Sequence, residues 1–228
     1  MAASVLPVFR CAALLFDVDG VLVASTGSVA RVWRRWAQEH GLDAEAVIAM
    51  AHGRRSIETI RRVAPQLDAE SENARVERME IDDTAGLAPI PGAREALATV
   101  PPDRVALVTS GTRALATARL KFCKLRLPRV LVTADDVAAG KPDPMPYRIA
   151  AERLGIELAR CLVFEDTPAG IQSGHANGMR VIALNTTYPA AELAEADAIV
   201  ASLAEVRIHI LGVGAERELM VQLLRVVG

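Results

Sequence analysis

The sequence predicts an α/β protein: a parallel β-sheet layered between helices, with a small α-helical domain inserted after the first core strand. Two observations predict the sheet and a third predicts the insertion. Short apolar runs recur along the chain. Helix-length segments with start and stop signals separate most of them. The gap after the first run is far longer than one crossover needs, and it holds only helical patterns.

The runs read AALLF (12–16), RVALVT (104–109), VLVTA (130–134), CLVFE (161–165), RVIAL (180–184) and DAIVA (197–201). Each is short and mostly apolar, as a strand covered on both faces must be. The first belongs to the N-terminal stretch MAASVLPVFRCAALLF, which has no clear charged leader and cleavage site and leads straight into Asp17. It reads as a buried strand rather than a signal peptide. After the third run, Asp143 and Pro144 mark a helix start and Gly155 marks its stop.

Between Val23 and Ala88 no strand-like run occurs. Val29, Val32, Trp33, Trp36 and Ala37 stand at helical spacing, and Gly41 stops them. Ser56 is placed to cap a helix carrying Ile57, Ile60 and Val63, halted at Pro65. Asp68 is placed to cap another, rich in Glu and Arg, that runs through Met79 and Ile81. LAPIPG (87–92) reads as a hinge. The expected division is a core of residues 1–23 and 90–228 and a helical domain of residues 24–89, about 65 residues in all.

Hydrophobic residues make up 51% of the 228 and charged ones 24%, so a packed soluble protein is expected. The net charge is −2 with no basic block, which argues against nucleic acid and anionic membrane surfaces as partners. The longest apolar runs are too short to span a bilayer. Cys11, Cys123 and Cys161 lie far apart without C-x-x-C spacing, as free thiols of a cytoplasmic protein do. The tail 209–228 carries Leu219, Leu223 and Val226 at a spacing that suggests an amphipathic helix.

The functional signal lies at the strand ends. LLFDVDGVLV (14–23) places Asp17 and Asp19 where the first strand should finish, with Gly20 to turn the chain away. Two carboxylates so close repel each other unless a cation or an electrophile lies between them. A solvated D-x-D-G turn is the competing reading. Three further strand ends narrow the choice. Thr109, Ser110, Gly111 and Thr112 form a hydroxyl-rich turn that opens a helix and suits a phosphate. Glu165 and Asp166 form a second acidic pair, suited to a hard ion such as Mg²⁺. Lys141 supplies a point positive charge just before another helix start.

FDVDG, VTSGT, GKPDP and FEDTPAGI resemble, in order, the four motifs of the haloacid dehalogenase (HAD) superfamily, and the likeness covers roughly residues 12–203. The resemblance implies a three-layer Rossmann-like core with a helical cap and an Mg²⁺-dependent phosphatase. AHGRRSIETI, VTSGTR and TADDVAAGKPDP most resemble the glycerol-3-phosphate and 2-deoxyglucose-6-phosphate phosphatase group. It implies Asp17 as nucleophile and Asp19 as acid and then base. The metal would lie against Asp17, Asp19 (through its backbone carbonyl) and Asp166, with Glu165 beside them. Thr109, Ser110, Gly111 and Lys141 would hold the phosphoryl oxygens. His52 and Arg55, in the cap segment HGRR, would reach the substrate's polar end. A small phosphate ester is the expected partner and a monomer the expected state.

Rival readings are a β-phosphoglucomutase-like isomerase and a non-catalytic phosphometabolite-binding protein. Mutases of this family carry a histidine where Val29 stands, and a mere binder needs no acid at Asp19. Dehalogenases generally lack the second aspartate. Ala24 replaces the aspartate usual at the hinge; altered hinge bonding with retained catalysis is expected. Trp33 and Trp36 read as apolar core, His40 as a helix C-terminus and His175 as surface. Asn185, Thr186 and Thr187 follow a strand near the rim of the site.

Overall fold

The computed structural model describes residues 6–212 and 217–227. β1 (Val8–Cys11) leads into β2 (Ala13–Phe16). A two-residue strand, β3 (Val23–Ala24), precedes the helices α1 (Thr26–Glu39), α2 (Ala44–Ala51), α3 (Ser56–Val63) and α4 (Ala69–Asp82). β4 (Ala88–Pro89) then returns antiparallel to β3. The chain continues through α5 (Ala93–Thr99), β5 (Val105–Val108), α6 (Arg113–Phe122), β6 (Val130–Val132), α7 (Met145–Leu154) and β7 (Cys161–Glu165). It ends with α8 (Pro168–His175), β8 (Arg180–Leu184), β9 (Ala198–Val200), β10 (Val206–Leu211) and β11 (Glu218–Leu223).

Six strands form one parallel sheet in the order β6-β5-β2-β7-β8-β9. All six apolar runs are therefore strands, and the α/β expectation is borne out. Side chains alternate between two buried faces. Leu14, Phe16, Leu107, Leu162 and Phe164 belong to one apolar cluster. Leu15, Ala106, Val108 and Val163 belong to the other. Phe16 and Phe164 stack across β2 and β7 with ring centroids 4.8 Å apart. The winding runs from β2 through β5 to β6, then restarts at β7 on the other side. The order reverses between β2 and β7, and ligands in open α/β sheets bind beyond the strand ends at such a point.

Helices α1 to α4 enclose a third apolar cluster that includes Trp33, Trp36, Val47, Ile60 and Val76. The two indoles pack edge to face at 5.4 Å, and both are fully buried. Asp68 caps α4 by accepting from the Glu70 amide at 3.2 Å. Ser56 opens α3 as its first residue, and Arg55 takes the cap position without a side-chain bond. Helix α2 has no periodic signature in the sequence, because AEAVIAMA is almost uniformly apolar. Asp43 starts it by accepting from the Glu45 and Ala46 amides.

The helix expected in the tail is replaced by strands. β11 lies between β1 and β10 in an antiparallel sheet. Leu219, Val221 and Leu223 are buried and alternate with less buried neighbours, whereas Val226 is exposed beyond the strand. Leu219 and Leu223 stand four apart, which fits one helical face and one strand face equally. Val221 decides for the strand. Residues 213–216 and 228 of the tail, and 1–5 of the N-terminal stretch, lie outside the described residues. Among the described residues no helix is long and apolar enough to cross a membrane.

Candidate active site

Asp17 directly follows β2 and is almost fully buried. Its amide donates to the Phe164 carbonyl at 2.9 Å, which fixes the strand end against β7. The Lys141 ammonium donates to the Asp17 carboxylate, to Glu165 Oε1 at 2.5 Å and to the Val108 carbonyl at 3.3 Å. Lys141 therefore joins the ends of β2, β5 and β7.

Glu165 is placed differently from the ion-facing position expected for it. Its Oε1 also accepts from the Tyr147 hydroxyl at 2.9 Å. Its Oε2 accepts from the Asp166 and Thr167 amides and the Thr167 hydroxyl at 2.9–3.1 Å. Every lone pair is directed into protein, so Glu165 anchors Lys141 instead of facing the cleft. Burial opposes its charge most, but Lys141 together with the Tyr147 hydroxyl and the Asp166 amide holds its carboxyl below the usual range.

Asp166 does face the cleft, and its buried Oδ1 has no hydrogen-bond partner. Burial, then the charges of Glu165 and Asp17, push its carboxyl well above the ordinary range. Burial also pushes Asp17 up to about 8, with Lys141 opposing and Glu165 and Asp19 adding to the rise. Three buried carboxyl groups thus share one lysine. An added cation beside Asp166 would relieve both groups, and an all-oxygen donor set suits Mg²⁺. Among the described residues no cluster of three or more His, Cys, Asp or Glu side chains is gathered for a metal. Asp17 and Asp166 are the two carboxylates that could hold such a cation. Gly20 (φ 81°) sits against Asp166, where a methyl group would overlap the carboxylate.

Asp19 has its own anchor. Its Oδ1 accepts from Ser25 Oγ and from Arg119 Nη1, each at 2.7 Å, and Thr109 Oγ1 lies 3.4 Å from Oδ2. Ser25 follows the unusual Ala24, so the hinge reaches the site through a hydroxyl. Thr109 Oγ1 accepts from the Gly111 amide at 3.0 Å, and the Ser110 hydroxyl donates to the Gly53 carbonyl at 2.8 Å. Thr112 caps α6 by accepting from the Leu115 amide.

A small cleft of about 60 Å³ lies between the sheet and the helical insertion. Asp17, Asp19, Thr109, Ser110, Gly111 and Asp166 lie on the sheet side. His52, Gly53 and Arg54 close it from the insertion. Gly53 (φ 73°) approaches Thr167 so closely that a Cβ would stand 2.7 Å from its methyl. His52 Nε2 is buried without a partner, and burial pushes the imidazole pKa down. Arg55 does not line this cleft: it donates to the Ala138 carbonyl at 2.6 Å and pairs with Glu58 at 3.2 Å. Its neighbour Arg54 takes the place expected for it. Thr187 also lines the cleft, and His175 bonds Asp197 at the surface.

The cleft also holds two buried charged residues that the sequence did not point to. Arg119 of α6 and Glu80 of α4 are both buried, and they face each other at 3.8 Å. Burial raises Glu80 to about 7 against the pull of Arg119.

A parallel sheet with paired carboxylates, a lysine and a hydroxyl turn at its switch point defines a hydrolase with a covered cleft. The haloacid dehalogenase-like hydrolase family matches residues 14–184, and the chain belongs to it. Hexitol phosphatase A of Escherichia coli (strain K12) is 39% identical over 204 residues, covering 87% of this chain and 94% of that protein. Glycerol-1-phosphate phosphohydrolase 1 of Saccharomyces cerevisiae is 35% identical over 189 residues, 77% and 75% of the two chains. A crystal structure of a hydrolase from Pseudomonas syringae shares the fold, with a TM-score of 0.77 and 24% identity, covering 85% of this chain and 94% of that one.

Proposed function

We propose that this phosphoric monoester hydrolase acts on small phosphorylated polyols or sugars through an aspartyl phosphate on Asp17, with Mg²⁺ as cofactor. One observation carries the reading: Asp17 and Asp19 face one cleft on separate anchors, Lys141 for the first and Ser25 with Arg119 for the second. Two chemical roles need two such environments.

In the first step an Asp17 oxygen attacks phosphorus and the ester bond breaks. Asp19 gives its proton to the departing alkoxide, releasing the alcohol. In the second step Asp19 takes a proton from water. The hydroxide formed attacks phosphorus, which frees phosphate and restores the Asp17 carboxylate. Thr109 and the amides of Ser110 and Gly111 orient the phosphoryl oxygens, and Lys141 offsets the charge that repels a phosphate dianion from Asp17. Asp17, Asp166 and the Asp19 backbone carbonyl would hold Mg²⁺, which when bound supplies positive charge at the phosphoryl group.

The helical insertion, residues 24–89, serves in this reading as a cap that covers the substrate and excludes water. The named activities of the similar proteins support a polyol or sugar leaving group. Val29 in the cleft, where a mutase would carry histidine, speaks against the isomerase. The buried free cysteines agree with a reducing cytoplasm.

Turnover of p-nitrophenyl phosphate and a panel of polyol and sugar phosphates, with Mg²⁺ and then with EDTA, tests the proposal. Mg²⁺-dependent release of phosphate is expected. No turnover of any ester would overturn it.

A further inference from the structure

Arg119 meets Asp19 from a buried position. Its Nη1 donates to Asp19 Oδ1 at 2.7 Å, and its side chain is 3% exposed against 27% for Asp19. Nε and Nη2 are buried and make no hydrogen bond. Asp19 is therefore the one hydrogen-bond acceptor of Arg119 among the described residues. At the other end of the guanidinium, Glu80 Oε2 pairs with Nη2 by charge at 3.8 Å.

Stability does not account for an arginine here. Position 119 lies on the face of α6 that also buries Leu115, Ala116 and Leu120. An apolar side chain would pack there without the cost of desolvating a guanidinium. Exchanging a buried ion pair for apolar groups of similar volume is often neutral or stabilising.

The bonds at Asp19 show what the arginine does. Oδ1 accepts twice, from Ser25 Oγ and from Arg119 Nη1. Oδ2 accepts only from the Thr109 hydroxyl, at 3.4 Å. A carboxylic acid carries its proton on one oxygen. A proton on Oδ1 would displace one of its two donors, so Oδ2 is the oxygen left to carry it. With Ser25 alone, a single bond would leave the carboxylate free to swing about Oδ1.

We infer that Arg119 is a positioning residue for Asp19: it fixes Oδ1, so that Oδ2 gives the proton to the leaving alkoxide and then takes one from water. The inference rests on the phosphatase reading and adds the group that aims its proton donor. Arg119 belongs to the sheet core and Glu80 to the insertion, so both parts of the protein bear on one carboxylate.

The test uses two leaving groups. An alkoxide needs a proton as it departs, whereas p-nitrophenolate leaves without one. The measured quantity is kcat/KM, which reports the step that breaks the ester bond and not the later attack of water. With Mg²⁺ present, Arg119→Met should lower kcat/KM about a hundredfold on the fastest polyol or sugar phosphate of the panel above. On p-nitrophenyl phosphate it should fall by about threefold. Arg119→Lys keeps a cationic donor and should restore about tenfold of the loss on the alkyl ester. Equal falls on the two esters in folded Arg119→Met protein overturn the inference, because Arg119 would then only support the fold. If Arg119→Met does not fold, Arg119→Lys carries the same test, with a fall of about tenfold confined to the alkyl ester expected and equal falls overturning. Failure of the proposed function reads differently: the wild type would turn over none of the esters, and this inference would fall with it.

Discussion

The two sides of the cleft handle buried charge in opposite ways. On the sheet side, Lys141 reaches two carboxylates and a carbonyl, and Glu165 is bonded at both oxygens. On the side where α4 packs against α6, Arg119 bonds Asp19 through Nη1, while Nη2 pairs with Glu80 at 3.8 Å and makes no hydrogen bond. The first arrangement is complete before any ligand arrives, as preorganised chemistry requires. The second holds its two buried charges together at ion-pair distance only. Direct hydrogen bonds thus fix the charges at the strand ends, whereas charge attraction alone joins the pair at the helix junction.

The largest effect should follow from Asp17→Asn, which removes the attacking oxygen from the preorganised side. It is expected to lower kcat by at least about a thousandfold on every ester, hydroxylated or not. Steady-state kinetics on p-nitrophenyl phosphate and a polyol phosphate checks this. Loss on only one ester would mean that Asp17 is not the nucleophile for both. Next comes Lys141→Met, which leaves Glu165 buried without its cation. It should cost about 3–5 kcal/mol of stability, or roughly 10 °C in Tm for a chain of this size. Arg119→Met should cost less, because Glu80, already raised to about 7 by burial, can take up a proton and become neutral. Thermal melts of the two variants rank the two sides directly; equal losses would break the comparison.

The same division explains what could be read from the sequence. On the sheet side each group stands within a few residues of an apolar run, so the strand announces the site. FDVDG and VTSGT are contiguous, and the fold only has to bring strand ends together. The placement of Glu165 was missed, although the strand pattern carries it. Successive residues at a strand end point to opposite sides, so Glu165 and Asp166 cannot both face one ion. Arg119 and Glu80 offered no such signal. Each sits among other charges in a helix, RALATARLKF and AESENARVERMEID, where a charge ordinarily faces water. Only the packing of α4 on α6 buries them together. The tail failed for a third reason: its two leucines fit both periods, and the partners that make it a strand, β1 and β10, include one at the far end of the chain.

The smallest effect concerns HGRR, where adjacent arginines take different parts. Arg54 lines the cleft, whereas Arg55 ties the insertion to the Ala138 carbonyl. Its partner Glu58 accepts from the Gly140 amide at 2.9 Å, one residue before Lys141. Arg55→Ala should therefore loosen the approach to Lys141 without touching the leaving group. The lost hydrogen bonds are worth about 1 kcal/mol, and kcat should fall by about threefold or less with KM nearly constant. Arg54→Ala should instead raise KM for polyol phosphates, as a cleft contact does. Measuring both variants on one polyol phosphate separates the roles. If Arg55→Ala raised KM more than Arg54→Ala did, the insertion would present its other arginine to the substrate.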